Sequence, residues 1–292
     1  MVRHEIPSGN VVVGVDGSSR GLAGVRFAAH EAARAGVGLQ IVSVAPGYVP
    51  VGPLPMIPDD SLQSYGRHAL VDAAAAARAE VPTLEVGAHL LTGGRVEELV
   101  RVGSEAVLVV LAGRDLDRMD RVLTGATVPG VASRATCPVV VLPPAWEPTG
   151  TAYGRIVVGL KNLGHAAELL EDGFARAEEL GAELHVLHAW RLGGRYDELV
   201  TGTGEEQRWA ADRVAELETH LDSPRDRHPG VVAKVRVVHA RPATALVDAS
   251  HEADRLLVTR PAHGGFVHHL GSTGRTVLRS ACCPVEVRPP GC

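Results

Sequence analysis

Short unbroken runs of Val, Leu and Ile alternate along this chain with longer stretches whose apolar residues recur every three or four positions. The first kind of run predicts strands buried on both faces, and the second predicts amphipathic helices. Val11 to Val15 is the first run. Ser18-Ser19 after it offers an N-cap hydroxyl to a helical pattern that extends to Ala35, where Gly36 stops it. LQIVSVAP, from Leu39, predicts a second strand; DDSLQSYGRHALVDAAAAARAE a long helix opened by Asp59, Asp60 and Ser61; and LEVGAHLL a third strand. VEELVRVGS then predicts a short helix, AVLVVLA a fourth strand, GVASRAT the end of another helix and PVVVL a fifth strand. Strands that alternate with helices and carry no polar face predict an α/β fold, a parallel sheet covered on both sides. Doubly wound sheets of this kind bind ligands beyond the carboxyl ends of their strands, where strand order reverses. The segments GVDGSS, SVAPG, AGRD and TGAT are therefore where a site belongs. The Pro-rich stretch Pro46 to Pro58 reads as an ordinary surface loop, with a cover over the site mouth as the alternative.

The pattern occurs twice. TCPVVVLPP, Thr136 to Pro144, returns as CCPVEVRPP, Cys282 to Pro290. NVVVGVDGSSRG answers to GRIVVGLKNLGH, and VEELVRVGSEAVLVVLAG to TALVDASHEADRLLVTR. The offset stays near 145 to 147 positions, from pairs such as Gly14 with Gly159 and Gly125 with Gly271. A duplication predicts two similar five-stranded domains, residues 8–144 and 154–290, joined by a linker over 145–153 that is rich in Pro, Gly and Thr.

Composition narrows the function classes. With 292 residues, 45% of them hydrophobic, and a net charge of -5, the chain has enough apolar surface for two buried cores and no basic excess that would point to nucleic acid. No apolar run is long enough for a membrane span, and MVRHEIPSGN lacks the apolar core of a signal peptide, so a cytoplasmic protein is expected. Arg greatly outnumbers Lys, and Ala and Gly are abundant, as in high-GC bacteria.

The motifs VGVDGSS, TCPVVVLPP, IVVGLKN and CCPVEVRPP, together with the helix-Gly-strand that follows the first, resemble those of the universal stress protein family, over nearly the whole chain. The resemblance implies two adenine nucleotide alpha hydrolase-like domains. They would pair through their last strands, PVVVL and PVEVR, as a pseudo-dimer within one chain, with further dimerisation open. One branch of the family binds ATP through a loop Gly-x2-Gly-x9-Gly-Ser/Thr after the fourth strand, where glycines admit the phosphates to backbone N–H groups. Counting back from Gly125 places Ala112 and Asp115 at the two leading glycines and Ala126 at the Ser/Thr. A shift of one residue recovers Gly113, and Thr127 supplies a hydroxyl. Asp115 repels phosphate, which Arg114 and Arg121 partly offset. In the second copy Gly271-Ser272 keeps the closing pair, but Thr259 and Ala262 stand at the leading glycines, the glycines of HGGF fall downstream, and Lys161 replaces the strand-end acid, Asp16 in the first copy. The nucleotide-binding candidates are thus Val15, Asp16, Gly17, Ser18, Val44, Gly113, Arg114, Gly125, Ala126, Thr127, Gly271 and Ser272. The preferred reading is a stress-response binding or regulatory protein with a degenerate nucleotide pocket, acting on unidentified protein partners. The alternative is a switch that holds ATP with Mg2+ in the first domain and hydrolyses it slowly.

Other constellations carry less. His263, His268 and His269, with His239 or His251, lack a known metal-ligand spacing. Cys137 and Cys283, each before a Pro, read as small packed residues rather than redox sensors, and Cys282 and Cys283 are neighbours rather than a Cys-x-x-Cys pair. Cys292 reads as an exposed terminal residue. Without a nucleophile elbow, Walker lysine loop or His-Glu-x-x-His helix, little in the sequence supports a dedicated enzyme.

Overall fold

The computed structural model describes residues 6–46, 59–112, 127–144, 146–147, 152–161, 166–192, 197, 201–260 and 270–290, with backbone only at 59–62. Contacts divide the chain into two units, Met1–Pro148 and Thr149–Cys292. The first holds β1 (Val11–Val15), α1 (Ser19–Ala35), β2 (Leu39–Ala45), α2 (Asp59–Glu80), β3 (Val86–Thr92), α3 (Arg95–Gly103), β4 (Leu108–Ala112), α4 (Thr127–Arg134) and β5 (Val139–Leu142). Its strands pair in the order β3-β2-β1-β4-β5, and every neighbouring pair is parallel. The chain winds from β1 outward through β2 to β3, then returns to the other side of β1 for β4, so strand order reverses between β1 and β4.

The second unit repeats the plan with β6 (Arg155–Leu160), α5 (Ala166–Leu180), β7 (Glu183–Trp190), α6 (Gly204–Arg227), β8 (Ala233–His239), α7 (Pro242–Ala249), β9 (Arg255–Thr259), α8 (Gly271–Ser280) and β10 (Val285–Arg288). Its parallel order is β8-β7-β6-β9-β10. The two units therefore share one doubly wound topology, as the alternation of patterns predicts.

Local chemistry explains the element ends. Ser18 has extended backbone and its Oγ accepts a hydrogen bond from Gly21 N, while Gly36 at φ +66° returns its N–H to the carbonyls of Ala32 and Ala33. β3 starts two residues later than the apolar run suggests, because Leu84 N is spent on Val81 O in the turn that closes α2. In the same way Ala106 N bonds Gly103 O, and β4 begins only at Leu108.

Burial on both faces accounts for the apolar runs: Val139, Val140, Val141 and Leu142 of β5 are each at most 1% exposed. Val13, Val25, Ile41 and Val110 sit in the core of the first unit, and Trp146, from the segment read as a linker, packs edge-on against Phe27 with ring centroids 5.4 Å apart. The core of the second unit gathers Ile156, Leu170, Phe174, Leu184, Leu217 and Leu257. Full burial of one such side chain, Phe174 for instance, contributes about 1.5–3 kcal/mol. Gln40, a polar residue on the buried strand β2, is partnered: its Oε1 accepts from His89 Nε2 on β3 at 2.7 Å.

Candidate functional site

The reversal of strand order in the first unit brings the ends of β1, β2 and β4 side by side, since Gly14 registers with Val42 and with Leu111. Val15, buried, is the last residue of β1, and Asp16 follows half-buried. Asp16 Oδ1 accepts from both Ser18 N, at 3.1 Å, and Ser18 Oγ, at 2.6 Å. Ser18 Oγ in turn accepts from Gly21 N at 3.1 Å. The carboxylate at the strand end thus braces its own turn and, through Ser18, the first turn of α1.

Gly17, between them, is required by its backbone, while Tyr65 sits close enough to meet any side chain placed there. Its φ of +82° is a conformation that L side chains rarely adopt, and a Cβ there would stand 2.7–2.9 Å from the ring and hydroxyl of Tyr65. Tyr65 comes from α2, and its ring, largely exposed, lies against the β1–α1 turn at the mouth of the expected site. Nothing in the sequence marks Tyr65; only the approach of α2 to the strand ends puts it there. The approach is close, since a Cβ on Gly66 would meet Leu90 at 2.7 Å.

Val44 lies buried near the end of β2, one residue before Ala45, whose carbonyl accepts from Gly93 N. Ala112 ends β4, and Gly24 of α1 packs close above it. Thr127 is the half-buried first residue of α4. Gly113, Arg114, Asp115, Arg121, Gly125 and Ala126 lie outside the described residues.

In the second unit Lys161 stands exposed at the end of β6, where the first unit has Asp16. Thr259 ends β9, and Gly271, at φ +66°, and Ser272 open α8. Ala262, the HGGF glycines, His263, His268 and His269 lie outside the described residues. Of the remaining histidines considered for metal, His239 bonds two carboxylates, Asp197 and Glu206. His251 lies 3.7 Å from the thiol of Cys282. Among the described residues no group of three side chains could hold a metal ion. Cys137 and Cys283 are both buried, and burial pushes the Cys283 thiol up to about 12, away from the thiolate that redox chemistry needs. Cys282 is exposed, and Cys292 lies outside the described residues.

A model of the Universal stress protein family matches residues 8–143 and again 152–288. A universal stress protein of Mycobacterium bovis is 30% identical over 288 residues, which cover 95% of this chain and 96% of the relative. Among solved structures, that of a universal stress protein from Archaeoglobus fulgidus superimposes with a TM-score of 0.73 at 17% identity, covering 97% of both chains. A universal stress protein in complex with cAMP matches 46% of this chain and 96% of its own, at 27% identity and a TM-score of 0.37.

Proposed function

The chain belongs to the universal stress protein family, and from that premise we propose that it is a cytoplasmic regulatory binding protein of the stress response whose first unit carries a reduced adenine-nucleotide site. The observation that carries this reading is the β1–α1 turn. Its polar groups already satisfy one another, with Asp16 Oδ1 taken by Ser18 N and Oγ, and the Tyr65 ring lies against Gly17 at the mouth. A nucleotide entering beyond the strand ends has to displace Tyr65 and compete with Ser18 for Asp16. At the matching place the second unit has an exposed cation, Lys161, rather than a carboxylate that could hold a metal-bound phosphate. No described helix is long and apolar enough to cross a membrane. Signal output then rests on protein partners that read the surface of the units.

A second reading, an ATP-holding switch in the first unit, is favoured by one feature: an acid, Asp16, is present at the end of β1 beside the strand-order reversal. Isothermal titration of the full chain with ATP and Mg2+ separates the two. Under the first reading wild type gives no saturable heat at millimolar ATP, whereas Tyr65→Ala gains it. Saturable binding by wild type near one site per chain, abolished by Asp16→Ala, overturns the first reading in favour of the switch.

A further inference from the structure

At the carboxyl ends of β7 and β8 a cavity of about 520 Å3 is lined by Arg191, Asp197, Thr201, His239 and Ala240. That volume lies within the usual range for small-molecule sites. Registers locate it within the repeat: Trp190 pairs with His239 across β7 and β8, as Ala45 pairs with Thr92 across β2 and β3. Where the first unit has a small residue and a threonine, the second has an indole and an imidazole, their rings 4.4 Å apart. The Trp209 ring of α6 lies tilted against Trp190 with centroids 4.1 Å apart, and the Arg213 guanidinium lies over Trp209 at 5.0 Å. The result is an aromatic cluster behind a polar opening.

The hydrogen bonds of the opening are unevenly filled. Asp197, 7% exposed, accepts from Arg191 Nε at 2.7 Å, Leu192 N at 3.0 Å and His239 Nε2 at 2.7 Å. Burial alone would raise its carboxyl; the donors from His239, Arg191 and Leu192 outweigh that and hold it at about 2. His239 Nδ1 faces Glu206 Oε1 at 3.3 Å, and Glu206 Oε2 accepts from Gly202 N. Thr201 gives its hydroxyl hydrogen to the Asp197 carbonyl at 2.6 Å. The carboxylates of the cluster are therefore occupied. What remains is donors: Arg191 is fixed through Nε alone, with both terminal nitrogens unengaged among the described residues, and it is 45% exposed along the cavity. Behind the lining, Trp190 Nε1, in a side chain only 9% exposed, is buried without a partner among the described residues, so its resonance reports on the cavity from next door. A guanidinium held side-on by a carboxylate, with its outer edge open, has the geometry that grips an oxyanion through two parallel N–H bonds.

We propose that this cavity binds the oxyanion group, phosphate or carboxylate, of a small molecule, with Arg191 as its anchor and His239, backed by Trp190, as its wall. The site lies in the second unit, away from the strand-order reversal, and does not depend on the nucleotide reading of the first.

The test follows the three indole N–H resonances of 15N-labelled full chain, that of Trp190 assigned through Trp190→Phe, during titration with inorganic phosphate, with malonate and with uncharged glycerol. A saturable millimolar shift of the Trp190 resonance is expected with at least one anion and none with glycerol; the anion that saturates first identifies the source of the oxyanion. Arg191→Gln should weaken binding about tenfold to a hundredfold, the loss expected for charge-assisted hydrogen bonds. Ala240→Leu, which fills the cavity and keeps the charge, should also abolish it, whereas Arg208→Gln, an exposed arginine elsewhere on α6, should leave it unchanged. The proposal is overturned if neither anion saturates, or if Arg191→Gln and Arg208→Gln weaken the response equally.

Discussion

The second unit carries a buried ion pair that the first builds from apolar residues, and the contrast sets up a mutational cycle. Arg255 on β9 and Glu286 on β10 are 3% and 1% exposed, with Nη1 to Oε2 at 3.0 Å. The matching registers of the first unit put Leu108 and Val140 in these places, both buried. Glu286 also faces Arg288 at 3.3 Å and Arg176 at 3.6 Å. Glu286→Val therefore withdraws a carboxylate that three guanidiniums share, and breaking a buried pair of this kind costs about 3–5 kcal/mol. Arg255→Leu leaves Glu286 with Arg288 and Arg176 beside it, so its cost falls at about the lower end of that range. Arg255→Leu combined with Glu286→Val reproduces the residues of the first unit and removes both charges, while Arg288 keeps Asp172 and Arg176 keeps Glu179. The double variant should lie within about 1 kcal/mol of wild type or above it, an interaction term of several kcal/mol. Urea unfolding at neutral pH, read by fluorescence in a Trp146→Phe background so that only Trp190 and Trp209 of the second unit report, supplies the four stabilities. If the two single costs simply add in the double variant, packing rather than charge pairing governs these positions and the reasoning fails.

Three further outcomes are expected. Gly17→Ala should cost about 1–2 kcal/mol from its positive φ, because the exposed Tyr65 ring can swing aside; adding Tyr65→Ala in a thermal melt should leave that cost nearly unchanged. His228, held by Glu178 and Glu171, has its pKa raised above the ordinary 6.5. Its contribution to stability is complete below pH 6.5 and disappears as pH rises through the raised value, so the stability difference between wild type and His228→Gln should shrink from pH 6 to pH 8; a constant difference refutes the coupling. Maleimide labelling of native protein, mapped by peptide, should modify exposed Cys282 and spare Cys137 and Cys283 until the chain is unfolded in urea.

What was legible in the sequence is what neighbouring residues decide among themselves. Ser18 and Gly36 bound α1 because cap geometry is settled within four residues, and the Val and Leu runs mark strands because both faces of each central strand are buried. The places where the apolar run overshoots, Leu84 and Ala106, are those where a turn claims a backbone N–H that the pattern does not record. Asp16 is legible as a strand-end acid, but its engagement by Ser18 is not, because the same residues also suit a ligand. Tyr65 escapes notice because it reaches Gly17 only when α2 docks on β2 and β3. The Asp197–His239 contact joins positions 42 apart, and the Arg255–Glu286 pair joins two strands whose charged letters interrupt otherwise apolar runs. A charged residue inside a buried run is a signal of a partner, although the run does not say which.

The two units show why one scaffold can hold two chemistries. Fold is specified by the interior of the strands, and there the copies agree in pattern: Val11, Val13 and Ile41 in one, Ile156, Val158 and Val186 in the other, all buried. Their differences sit at the strand ends and on one sheet face: Asp16 against Lys161, Ala45 and Thr92 against Trp190 and His239, Leu108 and Val140 against Arg255 and Glu286. Strand-end residues such as Asp16, Lys161 and His239 lie at the border of the core, so exchanging them perturbs it little, while they face a ligand entering beyond the sheet. Substitution there moves the place where unfilled donors gather. In the first unit the strand-end acid is turned onto Ser18 at the reversal of strand order; in the second the open donors lie one strand further out, on Arg191 after β7. A chain built in this way is expected to take an oxyanion through its second unit and not through its first, and equal affinity of both units for one anion would contradict the account.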